Sequence, residues 1–237
     1  MNRLLIDKEI KKEEYVIDIN EDKNILIKKV LAKKYVFNIR GNVNIYINVK
    51  DAKPVTYEIN INGGTVSFNN YSINPKKVNI VCNLNNKQSK VLINNSVISF
   101  DSLSTYKINV NHNAKETISD VYNNGVTKDN GSINFDVTSF VPKKSNLSVV
   151  NQDSKIISIN KSNDNKINPV LLIDEFDSES RHAAFIGDFN PDKLFYLMSR
   201  GLSKKEARKL LLTGMLVGTL DICFEEKEQL NKELIKW

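Results

Sequence analysis

The segment NVNIYINVK, residues 42–50, decides the class of fold. Its branched apolar side chains Val43, Ile45, Ile47 and Val49 fall on alternate positions, and asparagines take most of the positions between them. Successive side chains of a β-strand point to opposite faces, so a period of two predicts a strand with one buried face. The segment therefore indicates a half-buried β-strand.

Segments of the same kind recur between residues 23 and 173, separated by turns rich in Asn, Gly and Lys. No amphipathic helix interrupts this part, which excludes βαβ folds because they need a helix between successive strands. A sandwich, a barrel and a β-solenoid remain open, since periodicity alone does not decide between them. Besides 42–50, the predicted strands are 57–61, 66–68, 78–84, 91–93, 97–100, 106–110, 133–137, 147–149, 156–159 and 170–173.

The pattern changes to helical spacing after residue 177. Asn190 and Pro191 form a helix start, with Asn as the cap and Pro at the first helical position. Gly201 stands where a left-handed C-terminal cap is expected, and Ser203 with Glu206 forms a capping box for a second helix. The sequence thus predicts three parts: a lead segment 1–22, a strand-rich core 23–178 and a helical segment 179–237.

The charge and hydropathy patterns give no sign of a nucleic-acid or membrane partner. The net charge is +6, but lysines alternate with carboxylates and no arginine-rich or aromatic-studded basic stripe is present. No apolar run approaches the ~20 residues of a membrane span, and no run of signal-peptide length follows the first residues. We therefore expect a cytoplasmic protein that binds neither nucleic acid nor membrane.

Few residues are of the types that make a catalytic site. The two cysteines, Cys82 and Cys223, are far apart and are interpreted as buried apolar thiols. His112, between two asparagines, is interpreted as a turn residue, and the abundance of asparagine as compositional bias. The sequence has no Gly-Lys-Ser/Thr phosphate loop, Gly-x-Ser-x-Gly, Cys-x-x-Cys or His-Glu-x-x-His motif. We expect neither an enzyme nor a chain that binds nucleotide.

Residues 168–215 resemble the C-terminal signature of the SufB/SufD family, on the SufD-like side. The signature has a Pro-x-Leu-x-Ile strand, then a histidine followed by small residues and a glycine. It ends with the segment Leu-Phe-Tyr-Leu-x-Ser-Arg-Gly-Ile-Ser and a Glu-Ala-x-x-Leu-Leu helix. Here these elements are residues 169–173, 182–187, 194–203 and 206–211. Their order and spacing agree over nearly the whole stretch, although the chain is short for this family.

The resemblance implies a mainly β fold, a right-handed parallel β-helix followed by a C-terminal α-helical segment. It also implies a non-catalytic scaffold in SUF iron–sulfur cluster assembly. In this family a SufB-like and a SufD-like subunit pair through their β-helices, and their C-terminal helices dock the ABC ATPase SufC. A transient iron–sulfur cluster assembles at the interface between the paired subunits.

The resemblance also places candidate site residues. Gln152 stands where SufB-type members have a cysteine, and Ala183 where they have a glutamate, so neither ligand is present. His182 matches the interface histidine of SufD-type members and becomes the candidate iron ligand. The candidate docking region for the ATPase consists of Phe195, Tyr196, Arg200 and Gly201.

Two other functions stay open at the level of the sequence. Within the family, the chain could be a homodimeric, stand-alone SufBD-type scaffold. Outside it, the chain could be an unrelated β-solenoid that binds or cleaves carbohydrate or acts as an adhesin. The absence of an aligned carboxylate cluster on the predicted strands argues against the carbohydrate-active enzyme.

Overall fold

The chain alternates between two β-sheets from one strand to the next. The computed structural model describes residues 3–6, 13–30, 32–159 and 164–234, and holds fifteen strands and three helices in them. The eight-stranded sheet contains β1 (Arg3–Ile6), β3 (Lys23–Ile27), β5 (Val43–Lys50), β7 (Thr65–Ile73), β9 (Lys90–Ser99), β11 (Ile118–Thr127), β13 (Ser148–Ser158) and β15 (Ser178–Gly187), in that order. The seven-stranded sheet contains β2 (Glu14–Ile19), β4 (Lys34–Ile39), β6 (Val55–Ile61), β8 (Lys77–Leu84), β10 (Leu103–His112), β12 (Ser132–Val141) and β14 (Lys166–Ile173).

All neighbouring strands in both sheets are parallel, and each coil of the chain adds one strand to each sheet. Leu4 pairs with Ile25 at one end, so the first coil takes 21 residues (25 minus 4). Val121 pairs with Gln152 near the other end, where a coil takes 31 residues (152 minus 121). Coils that stack in register on one another make a parallel β-solenoid. This confirms the predicted β-helix and excludes the sandwich and the barrel.

An apolar interior lies between the two sheets. β6 and β12 alternate strictly between buried and half-buried residues, as the sequence pattern predicts. Aromatic rings continue from coil to coil: Tyr35 stacks on Tyr57 with ring centroids 5.5 Å apart, and Phe68 lies a further 5.5 Å from Tyr57. Burying a side chain of this size contributes on the order of 1.5–3 kcal/mol. This repeated burial is what holds successive coils together.

Asparagine side chains form hydrogen-bonded ladders along the coils. Inside the solenoid, Asn70 Nδ2 donates to Asn95 Oδ1 (3.3 Å) and Asn95 Nδ2 to Asn123 Oδ1 (2.8 Å). Asn123 Nδ2 then donates to Ser154 Oγ (2.9 Å). A carboxamide both donates and accepts, so a stack of them satisfies its own members in a buried row. The abundance of asparagine therefore has a structural cause, contrary to its interpretation as compositional bias.

The three helices pack against the outer face of the eight-stranded sheet. They are α1 (Pro191–Ser199), α2 (Lys204–Val217) and α3 (Phe224–Leu234). The predicted caps are confirmed: Asn190 accepts from the backbone of Asp192, Ser203 and Glu206 make the capping box, and Gly201 has φ +95°. The apolar layer between helices and sheet contains Leu26, Tyr46, Tyr71, Ile98, Val126 and Ile157 from the strands and Ala207, Leu216, Val217, Leu220, Leu230 and Leu234 from the helices.

Polar contacts also attach the helical segment to the sheet. Ser96 Oγ donates to the carbonyl of Leu216 (2.6 Å). The backbone of Asp221 is held from both sides, because its N–H donates to Asn69 Oδ1 (2.8 Å) and its carbonyl accepts from Asn44 Nδ2 (2.7 Å). None of the helices in the described residues is long and apolar enough to cross a membrane.

The strands extend beyond both expected limits of the core. β1 and β2 fall within the lead segment 1–22, and β15 runs to Gly187, well into the segment 179–237 expected to be helical. The reason is visible in β15: its residues 179–186 are all exposed, so no alternation of apolar and polar side chains is needed there. Backbone pairing with β13 makes this strand, and periodicity does not report such pairing.

Candidate functional site

The candidate site lies at the C-terminal end of the solenoid, where the last coil is open. β14 and β15 are the last strands of their sheets, and within the described residues neither pairs with a strand on its outer side. Several large apolar side chains are exposed on these strands: Leu172 (50%), Phe185 (46%) and Ile186 (45%). Edge strands present unpaired N–H and C=O groups, which are a ready template for another strand.

His182 lies in β15 on the face that continues the solenoid interior. It pairs in register with Gln152 of β13, which in turn pairs with Val121 of β11. Gln152 and Val121 are buried between the sheets, so His182 occupies the next position of the same inner row. The imidazole is exposed because no further coil covers it. The structure thus places the predicted ligand at the mouth of the open end.

Gln152 is a buried polar residue with an incomplete set of hydrogen bonds. Its side chain is 2% exposed, and Nε2 donates to Ser139 Oγ (2.8 Å) and to the carbonyl of Val170 (3.3 Å). Because a backbone carbonyl can only accept, the amide nitrogen must face Val170. Oε1 is buried and has no hydrogen-bond partner among the described residues. Leaving a buried acceptor unsatisfied costs roughly 1–3 kcal/mol.

The outer face of the same strands carries a separate row of polar side chains. Arg181 Nε donates to Asn151 Oδ1 (2.6 Å), and Asn151 Nδ2 donates to Asp120 Oδ1 (2.6 Å). Ala183 pairs in register with Asp153 beside this row. A cavity of about 270 Å³ lies against this end of the sheet, and Gln152 and His182 line it together with Tyr122, Asn151, Asp153, Arg181 and Ala183. His182 and Ala183 are adjacent in the chain but lie on opposite faces of the sheet.

The described residues hold no group of three or more His, Cys, Asp or Glu side chains arranged to bind a metal. His182 is therefore a single candidate ligand and not part of a complete set within the described chain. An imidazole is a competent ligand for iron, but a cluster is held by several ligands.

The predicted docking residues come together on α1 and at its C-terminal end. Phe195 is 74% exposed and Tyr196 57%, an unusual degree for aromatic side chains next to a packed helix layer. The guanidinium of Arg200 lies 5.4 Å from the centre of the Tyr196 ring. Gly201 follows with the positive φ of a helix cap. These residues form one exposed aromatic and cationic patch, which we call the α1 patch.

The two cysteines differ in their surroundings. Cys82 is buried in the interior as predicted, and burial strongly raises the pKa of its thiol. Cys223 is exposed just before α3, so its interpretation as a buried thiol is wrong. Its apolar neighbours in the sequence do not share one environment, because Leu220 is buried and Phe224 is 75% exposed.

His112 is not a turn residue but the buried last residue of β10. Its Nδ1 lies 2.7 Å from Thr117 Oγ1 and its Nε2 2.8 Å from Ser119 Oγ, so both ring nitrogens are satisfied. Burial lowers the pKa of His112 to about 4, and a hydrogen bond with the backbone of Thr117 opposes this shift. The imidazole is neutral, buried and hydrogen-bonded at both nitrogens, so it stabilises the end of β10 and is not available to a ligand.

Comparison with known proteins matches the part of the chain that carries the candidate site. Residues 42–215, which are 174 of the 237 residues, match the family model described as SUF system FeS cluster assembly, SufBD core domain. The iron–sulfur cluster assembly protein SufD of Bacillus subtilis (strain 168) is 34% identical over 105 residues, 44% of this chain. An iron–sulfur cluster assembly SufBD family protein of Pyrococcus horikoshii is 42% identical over 64 residues, 27% of this chain.

These matched stretches are small parts of the relatives, covering 24% of the Bacillus protein and 14% of the Pyrococcus protein. The family model, in contrast, spans most of the solenoid together with α1 and most of α2. It includes His182, Gln152, Ala183 and the α1 patch. The chain belongs to the SufBD core family of the SUF system for iron–sulfur cluster assembly.

Proposed function

We propose that this chain is a non-catalytic, cytoplasmic scaffold subunit of the SUF machinery, of the SufD-like type. It pairs with a SufB-like subunit and docks a SufC-like ABC ATPase. The observation that carries the proposal is the match of the SufBD core model to 174 of the 237 residues, with every candidate site residue inside it. The similarity to SufD of Bacillus subtilis favours the SufD-like type.

The open end of the solenoid is the proposed surface for the SufB-like subunit. Two edge strands, β14 and β15, end their sheets there without a neighbour among the described residues. The exposed side chains of Leu172, Phe185 and Ile186 add apolar area next to these strands. A partner strand placed along β15 would satisfy its backbone groups and cover that area in one step.

His182 is the residue that we assign to the cluster. It is exposed on the inner side of the edge strand, so a partner covering the open end would meet its ring. Gln152 and Ala183 offer neither thiolate nor carboxylate, so this chain would supply the imidazole and the SufB-like subunit the remaining ligands. The iron–sulfur cluster is cargo in this scheme and leaves the interface once it is built.

The α1 patch is the proposed docking surface for the ATPase. Its two exposed aromatic rings and Arg200 are of the residue types that dominate protein interfaces. The helices carrying it are fixed to the sheet through the apolar layer and the contacts of Asp221, so force applied at the patch would reach the solenoid. This chain has no phosphate loop of its own, so nucleotide binding belongs to the partner.

The test uses His182→Ala in the complex co-expressed with the SufB-like and SufC-like proteins of the same host. Ser180→Ala is the matched control, because Ser180 is also an exposed residue of β15 on the inner face, two positions away. Cluster formation is followed under anaerobic conditions by visible absorption, after supply of iron and sulfide. We expect His182→Ala to form the complex but to accumulate little cluster, and Ser180→Ala to behave like the unmodified chain.

Equal cluster formation by His182→Ala and the unmodified chain would remove His182 from the scheme. Loss of complex formation by His182→Ala alone would instead assign the residue to pairing of the subunits.

A further inference from the structure

One inner row of the solenoid changes its chemistry at the open end. From the N-terminal side its in-register members are Leu4, Ile25, Ile45, Phe68, Ile93, Val121, Gln152 and His182. Six apolar side chains are followed by an amide and an imidazole. Stacking a polar residue in an apolar row is unfavourable unless its groups are satisfied. Gln152, the buried one of these two polar members, therefore needs an explanation.

We propose that Gln152 is a positioning residue for His182. Its buried Oε1 accepts the N–H of the ring nitrogen that faces the solenoid, and the second ring nitrogen then keeps its lone pair, directed toward the open end. Gln152 thereby fixes one tautomer of a neutral imidazole that stands on an edge strand.

The surroundings of Gln152 leave His182 as the donor. The amide nitrogen is already held by Ser139 Oγ and the Val170 carbonyl, which fixes the side of the amide on which Oε1 lies. Of the two in-register neighbours of Gln152, Val121 has no polar side-chain atom and His182 carries the ring N–H. Oε1 itself has no hydrogen-bond partner among the described residues, so the bond from the His182 ring is the step that we infer and not one that the structure contains.

The consequence for the cluster rests on the proposed function. A histidine that binds a metal almost always donates its other ring N–H to an acceptor, which sets the tautomer and the ring orientation. Loss of such an acceptor typically costs 10–100-fold in metal affinity. Gln152 would thus keep a role at the family's cysteine position, as the support of the ligand on the neighbouring strand.

The orientation itself is tested on the unmodified chain without partners or metal. Nitrogen-15 NMR at a pH at which the imidazole is neutral distinguishes a protonated ring nitrogen from one that bears a lone pair. The His182 signals are assigned by comparison with His182→Ala. We expect two well-separated nitrogen signals from one tautomer. A single averaged pattern from two exchanging tautomers in the unmodified chain would overturn the proposal, whatever the variants do.

Two variants identify the acceptor. Gln152→Met keeps a similar volume but removes Oε1, so the His182 signals are expected to collapse toward the averaged pattern. Ser139→Ala removes one partner of the Gln152 amide nitrogen and leaves Oε1, so the pattern should persist. An unchanged tautomer in a folded Gln152→Met chain would refute the role of Gln152.

Iron binding then separates the inference from the proposed function. In the complete complex, Gln152→Met should weaken Fe²⁺ binding by about 10–100-fold. A locked tautomer in the free chain together with unchanged cluster formation by His182→Ala would keep the orientation and remove the ligand role. An averaged tautomer in the free chain, together with loss of cluster formation by His182→Ala, would keep the ligand role of His182 and remove its orientation by Gln152.

Discussion

Lowering the pH should destabilise the protein through His112, well before its carboxylates are protonated. Burial lowers the pKa of His112 to about 4 in the folded chain, against an ordinary value of 6.5. At neutral pH the ring is mostly uncharged in both states, so this group then costs little. As the pH falls below 6.5, the unfolded chain binds a proton that the folded chain does not, and stability must decrease. The full difference is roughly 3 kcal/mol.

The useful window lies above the range in which carboxylates titrate. Glu58, Glu116 and Glu206 also have lowered pKa values, caused by hydrogen bonds to Lys34, Lys87 and Ser203 respectively. Their contribution is present above about pH 4.5 and is lost only as the pH falls through their lowered values. Between pH 7 and 5.5 His112 alone should remove on the order of 1 kcal/mol from the free energy of unfolding.

Urea denaturation measured at several pH values in this window provides the assay. The two proteins compared are the His182→Ala variant, in which His112 is the single histidine, and the double variant His182→Ala, His112→Gln, which has none. Gln keeps groups that can bond Thr117 and Ser119 but does not titrate. We expect the pH dependence in the first protein and a flat profile in the second. A flat profile in both, or the same slope in both, would refute the reasoning.

Three further substitutions test the interior and the α1 patch. Asn123→Ala interrupts the buried ladder between Asn95 and Ser154 and should lower the free energy of unfolding, measured by urea denaturation, by roughly 1–3 kcal/mol. The control Asn113→Ala removes an exposed rung and should change it by no more than about 0.5 kcal/mol. Equal effects of the two variants would contradict the role of the buried ladder. Gly125→Ala places a Cβ 2.9 Å from Ile133 Cδ1, so we expect a loss of about 1–3 kcal/mol by the same measurement, and an unaffected midpoint would disprove the tight fit. Phe195→Ser should leave stability unchanged but weaken ATPase binding, measured by calorimetry, by about 2 kcal/mol or roughly thirtyfold. The control is Leu210→Ser, because Leu210 is 52% exposed on α2 and lies outside the α1 patch. Equal binding by both variants would argue against the α1 patch.

The local strands could be predicted from sequence because alternation survives wherever one face is buried. Their arrangement could not, since the same alternation suits sandwiches and solenoids. The sequence does carry one signal of the solenoid: ladder asparagines recur at about the length of a coil, such as Asn60, Asn83 and Asn111 at intervals of 23 and 28 residues. Recurrence of a residue that pairs with itself, at intervals close to the length of one coil, is a sign of stacked coils.

The candidate site was only partly predictable for a related reason. His182 and the α1 patch came from a family resemblance, whereas the pairing of Gln152 with His182 depends on register across 30 residues, the distance from β13 to β15. No local pattern encodes such a distance when the turns between the strands vary in length. β15 itself was missed because an edge strand exposed on both faces has no period to detect.

The most direct test of the proposed function is the native mass of what this chain co-purifies with. The chain is co-expressed with the SufB-like and SufC-like proteins of its host, purified through a tag on this chain, and weighed by native mass spectrometry. We expect one assembly that contains all three proteins. A homodimer that binds only the ATPase would contradict pairing with a SufB-like subunit, and isolation of this chain alone would contradict the scaffold role.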